Sequence, residues 1–254
     1  MLRKFFKTLV ATLAIAAAPA MAATLALEGS DATTFHRDST YSMQLFSFLK
    51  SDSYNPSLPV LVFGTGGTLS GVPADTVYSA TLPGTLAGVY SAVYVGSPGG
   101  CCSEQPVSTA DQTAIGSFYR TTGGSVAIQD YAGGLATLLG FDAPQADIGG
   151  IGGAAPGPGC FDTEIFLPAA LSKGFTQPGV LGCWGHQGYN MAFFAPLGFV
   201  SLVDSSAAFG SAASPTWSSF LALGGALGGT VPEPSTLLLV GAALFGVAAM
   251  RRRA

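Results

Sequence analysis

The sequence predicts an α/β fold, a single domain around a mainly parallel sheet. Three observations carry this. Residues 58–64 (LPVLVFG) and 91–96 (SAVYVG) are unbroken apolar runs of strand length, the pattern of strands buried on both faces. Over residues 108–122, Ile115, Phe118 and Tyr119 fall on one helical face, and Gly123-Gly124 ends the helix. Residues 125–129 (SVAIQ) then read as a strand. Residues 91–129 are thus a strand–helix–strand unit, which requires parallel pairing with a right-handed crossover.

The remaining elements follow in order. Residues 24–28 (TLALE) are a short strand. Residues 39–50 place Tyr41, Leu45, Phe48 and Leu49 at helical spacing, with Ser39 as the expected N-cap. Residues 133–139 suit a short helix, and 149–159 (GGIGGAAPGPG) have a loop composition without periodicity. Residues 169–173 are helix-like; 180–184 and 198–203 are strand-like. The Gly-rich stretch 224–230 reads as a tether closing a domain that spans 23–223.

Both ends are addresses rather than fold. Arg3, Lys4 and Lys7 precede an apolar stretch, and Ala20-Met21-Ala22 supplies a cleavage site, so residues 1–22 read as a signal peptide and Ala23 as the mature start. Residues 231–254 combine Pro232-Glu233-Pro234, a charge-free run over 235–250, and Arg251, Arg252 and Arg253. A helix over that run would be about 24 Å long, against a hydrocarbon core of about 30 Å. The arginines would stay cytoplasmic and leave the preceding residues outside. This tripartite tail resembles the PEP-CTERM sorting signal of Gram-negative bacteria. The resemblance implies recognition of the Pro-Glu-Pro motif by a membrane-embedded exosortase, and association with exopolysaccharide. It covers the tail alone.

Without the two ends, four basic residues remain (Arg37, Lys50, Arg120 and Lys173) against thirteen acidic ones, a net charge of −9. No basic patch is left to neutralise phosphates, which excludes nucleic acid as a partner. The stretch STADQTAIGSFYRTTGGSVAIQDYAGG is similar to the helix, Gly-Gly, strand segment of class I glutamine-amidotransferase-like and flavodoxin-like proteins. That resemblance implies a three-layer domain and no particular activity.

Several groups are candidates for chemistry. Thr65-Gly66-Gly67-Thr68 resembles the first signature of bacterial L-asparaginases, which implies Thr65 as a nucleophile; the family's second segment, His-Gly-Thr-Asp-Thr, is not in the chain. Cys183 and His186 are a thiol and an imidazole three residues apart, a spacing that suits a nucleophile–base pair. Against it stands the cysteine count. Cys101, Cys102, Cys160 and Cys183 form an even set in an exported chain and suggest two disulfides, each of the adjacent pair joined to one of the others. The set has no C-x-x-C and makes a poor zinc site. Asp31, His36 and Asp38, with Glu28 nearby, offer oxygen and imidazole ligands, although such short acidic loops are ordinarily solvated turns or caps. The residues therefore point to an exported ectodomain with no assigned catalytic residue, metal or cofactor. An extracellular hydrolase or amidase using Cys183 and His186, or Thr65, is the alternative.

Overall fold

The protein is described here from a computed structural model. It describes residues 23–64, 68–96, 107–129, 164–178 and 183–224. The strands are β1 (Leu25–Glu28), β2 (Val60–Phe63), β3 (Val77–Ser79), β4 (Ala92–Val95), β5 (Ser125–Gln129), β6 (Ile165–Phe166), β7 (Tyr189–Asn190), β8 (Val200–Asp204), β9 (Trp217–Ser218) and β10 (Phe220–Leu223). The helices are α1 (Ser39–Ser51), α2 (Thr109–Ser117), α3 (Pro168–Leu171) and α4 (Met191–Phe194).

Eight strands form one sheet in the order β3-β2-β4-β5-β1-β10-β8-β6, and β7 and β9 form a separate pair. The three strands expected at the centre, β2, β4 and β5, are adjacent and parallel, with α2 connecting β4 to β5. The expectation of a mainly parallel sheet needs correction. The run β3-β2-β4-β5-β1 is parallel, but β10 pairs antiparallel with β1 and β8, and β6 pairs antiparallel with β8. The cause lies in the connection. Residues 205–219 join β8 to β10 through a 3-10 turn and β9, without the crossover helix that a parallel return requires.

Strand residues alternate between two cores. Leu25, Leu27, Val93, Val95, Val126 and Ile128 face the side covered by Ile115, Phe118 and Phe194. Ala26, Val60, Val62, Tyr94 and Ala127 face α1, whose Tyr41, Leu45, Phe46, Phe48 and Leu49 are all buried. The spacing read from the sequence thus predicts the buried face of α1. Its N-cap does not fall where expected: Asp38, not Ser39, caps the helix, with Oδ1 accepting from the Tyr41 amide at 2.7 Å. After α2 the chain continues through a π turn (Phe118–Thr122) and stops at Gly123, whose φ of 77° is left-handed. Gly124 lies under the Phe118 ring, where a Cβ would be 2.0 Å from ring carbon.

Cys183 and Trp184 lie outside any strand, contrary to the strand expected over 180–184; the rest of that stretch falls outside the described residues. So do the expected signal peptide, the 133–139 helix, the 149–159 loop, the tether beyond Gly224 and the tail. Among the described residues no helix is long and apolar enough to cross a membrane.

Candidate functional site: a buried acid–imidazole cluster

Among the described residues the buried carboxylates, Glu28, Asp31 and Glu164, gather at the carboxyl end of β1. That end of a parallel strand is where α/β sheets usually place functional groups. The local backbone explains why they meet. Residues 184–187 cross over the strand end: the amides of His186 and Gln187 both donate to the Gly29 carbonyl at 2.9 Å, and the Asp31 amide donates to the Trp184 carbonyl at 3.0 Å. Ser30 and Gly185 form a β-bridge. Only glycine permits this approach at position 29, because a Cβ there would sit 2.3 Å from the Gln187 carbonyl oxygen. Beyond Asp31 the chain turns at once. Phe35 and His36 donate their amides to the Asp31 carbonyl at 3.0 and 3.1 Å, which brings the His36 side chain back onto its own turn.

The result is one carboxylate between two imidazoles. His36 Nε2 is 3.3 Å from Asp31 Oδ1, and His186 Nε2 is 3.0 Å from Oδ2. These are the chain's two histidines. The Asp31 side chain is fully buried, and neither of its oxygens accepts a hydrogen bond of regular geometry. The side-chain amide of Gln187 is also buried with both atoms unpartnered.

Beside this clamp lie two buried glutamates. Glu28 Oε1 accepts from Thr33 at 2.9 Å and Ser30 at 3.3 Å, and Oε2 accepts from Tyr94 at 3.0 Å. Burial pushes its carboxyl up to about 7, although hydrogen bonds from Tyr41, Thr33, Tyr94 and Ser30 act in the opposite sense. Glu164 accepts from the Ser219 hydroxyl and is likewise pushed to about 7, by burial and then by the nearby charges of Glu28 and Asp31, while His186 opposes the shift. Tyr41 is raised well above its ordinary value by burial and by Glu28. Next to the cluster a cleft of about 390 Å³ opens against Trp184, Tyr41, Phe166, Asp38, Gln44 and Gln177. Its amides are already engaged: Gln44 bonds Thr176, and Gln177 bonds the Phe166 amide and the Glu164 carbonyl.

The sequence candidates fare unequally. Cys183 is disulfide-bonded, so its sulfur is not a thiolate, and His186 turns to Asp31 instead. The Cys183–His186 nucleophile pair is thereby removed. Asp31 and His36 do come together, but Asp38 is spent on the cap of α1 and Glu28 on its own hydroxyl partners. Among the described residues no group of three or more His, Cys, Asp or Glu is arranged to hold a metal ion. Thr65, Cys101, Cys102 and Cys160 lie outside the described residues, as do Pro232, Glu233, Pro234 and Arg251, Arg252 and Arg253. Sequence reasoning missed Glu164, Gln187 and the meeting of the two histidines. Their scarcity was the one signal available.

Comparison with known proteins identifies the tail. Residues 230–253 match the PEP-CTERM protein-sorting motif. Such motifs are recognised by exosortase, and the signal implies export through an exosortase-type system with surface association. No curated protein and no solved structure matches the chain.

Proposed function

We propose that this chain is a surface protein of the exopolysaccharide matrix, delivered by its tail and carrying a non-catalytic ectodomain. In this reading residues 1–22 direct export and are removed before Ala23. Residues 23–223 form the ectodomain and 224–230 the tether. Residues 235–250 anchor the precursor until an exosortase cuts near Pro232-Glu233-Pro234. The observation that carries the reading is the motif match at 230–253. The physics of the tail supports it. Two prolines fix φ and remove amide donors on either side of Glu233, which keeps the motif out of the following helix and extended at the membrane surface. The run 235–250 is marginally short and rich in small residues, which suits a temporary anchor, and the arginines stop translocation. The engagement of Cys183 in a disulfide supports a structural rather than nucleophilic use of the cysteines.

Replacing Pro232, Glu233 and Pro234 with alanine tests the reading in the native host. Export and insertion should persist, while the protein stays in the membrane fraction with Arg251, Arg252 and Arg253 attached. Processing and release at the wild-type rate would show that the motif is not the recognition element, leaving a plain membrane anchor.

A further inference from the structure

We propose that Asp31, His36 and His186 form a proton-operated clamp. It holds residues 184–187 across the end of β1, and so sets the Trp184 wall of the neighbouring cleft, when the imidazoles are protonated. It loosens when they lose their protons.

Geometry carries the argument. The crossing segment is tied to the end of β1 by backbone hydrogen bonds at Gly29 and Asp31 and by the 3.0 Å contact between His186 Nε2 and Asp31 Oδ2. Trp184 sits at the start of that segment, 5% exposed, with its ring 5.8 Å from the Tyr41 ring. Both rings line the cleft. A displacement of the segment therefore moves one cleft wall against the other.

The charges set the direction. Asp31 is buried with no hydrogen-bond donor of regular geometry, so the two imidazoles offset its charge only when they are protonated. Among the described residues, Glu164, from the segment before β6, interacts with His186, Asp31 and Glu28, and Tyr41 of α1 and Tyr94 of β4 stand against Glu28 of β1. Glu28, Glu164, Tyr41 and Tyr94 are all acids. Among the described residues the lysine ion pairs go to Asp75 and Asp52, and no lysine or arginine pairs with Asp31, Glu28 or Glu164. With both imidazoles protonated and the two glutamates neutral, the cluster carries a small positive charge. With all protons lost it holds three carboxylates and no cation in a buried space. Glu28 and Glu164, both pushed up to about 7 by burial, add their own negative charge beside Asp31 as the pH rises past that value. Because the tail implies export, the cluster meets the medium rather than a buffered cytoplasm.

The chain has two tryptophans, so Trp217→Phe leaves Trp184 as the sole reporter in the exported protein. Acrylamide quenching of Trp184 should be weak at about pH 5 and rise about threefold or more by about pH 8.5, with far-UV circular dichroism unchanged, as expected for local opening. His36→Gln, at the partly exposed position, should shrink the step. His36→Gln combined with His186→Gln should abolish it, and Asp31→Asn gives an independent route to the same loss. Equal protection of Trp184 at both pH values would overturn the proposal. So would a step of wild-type size in the variants, or a quenching change that merely follows global loss of circular dichroism.

Discussion

Replacing Glu28 with glutamine should change how stability depends on pH, with little cost in packing. The Glu28 carboxyl is fully buried and rises from its ordinary 4.5 to about 7, mainly through burial. The folded state therefore binds the proton more tightly than the unfolded chain does. This contribution to stability is present in full below 4.5, is lost as pH climbs towards 7, and stays lost above it. At about 1.4 kcal/mol per pH unit, the loss comes to about 3 kcal/mol. Glutamine imitates the protonated acid. Its oxygen can keep the Thr33 and Ser30 donors, and its amide can donate to the Tyr94 hydroxyl now at 3.0 Å from Oε2. Glu28→Gln should thus match the wild type near pH 5 and exceed it near pH 8. For a domain of this size, about 3 kcal/mol corresponds to a rise of about 6–12 °C in melting temperature. Glu164, also near 7 and repelled by Glu28, should retain a weaker slope of its own, and adding Glu164→Gln should flatten the curve. Thermal melts followed by circular dichroism across this pH range test the argument. Melting curves of variant and wild type that run parallel from pH 5 to 8 would refute it.

Three further predictions rest on other contacts. Gly29→Ala places a Cβ 2.3 Å from the Gln187 carbonyl oxygen and should destabilise the fold by about 2 kcal/mol or more in urea titration; an unchanged midpoint would mean that the crossing is looser than described. Asp38→Ala should cost about 1 kcal/mol through loss of the α1 cap, whereas Ser39→Ala should be near neutral, and the reverse order would reassign the cap. In protein from an oxidising compartment, Cys183 should resist alkylation until reduced, and non-reducing peptide maps should join it to Cys101 or Cys102; a freely alkylated Cys183 would contradict the disulfide.

How far the sequence reaches depends on which interactions are local. β2, β4 and β5 were legible because strands buried on both faces leave continuous apolar runs, and α1 because Tyr41, Leu45, Phe48 and Leu49 repeat at helical spacing. β10 was not read as a strand. Its FLAL is as apolar and as long as β2, but it runs directly into the Gly-rich stretch 224–230, so it passes for the start of a tether. β3 escaped for the opposite reason: as an edge strand it is partly exposed and carries no buried pattern. The expected N-cap at Ser39 was one residue off because aspartate and serine are both good caps and adjacent here. The clamp was out of reach. Asp31 and His36 are near in sequence, but His186 joins them only because Gly29 admits a distant segment, and no local pattern marks that crossing.

The position of the clamp follows from the mixed character of the sheet. β1 is the strand at which the parallel half meets the antiparallel half, with Glu28 opposite Gln129 of β5 on one side and Phe220 of β10 on the other. On the β5 side the sheet runs in register with β1, and the chain beyond each strand leaves at the same edge. On the β10 side the chain enters at that edge, and the Gly29 amide reaches the carbonyl of Ser219, just before β10 begins. The two halves therefore leave a seam at this end of β1. Residues 184–187 cover it with backbone, and the polar groups fill what remains: the Gln129 amide donates to the Ser30 carbonyl at 2.8 Å, and the Ser205 hydroxyl donates to that of Ser219 at 2.9 Å. An apolar seam would have been cheaper, since burying Asp31 without regular hydrogen bonds and holding Glu28 and Glu164 protonated both cost stability at neutral pH. A neutral hydrogen-bonded seam could fix the register of the crossing segment equally well. What it could not supply is a dependence on protons, and that is the property on which the proposed clamp rests.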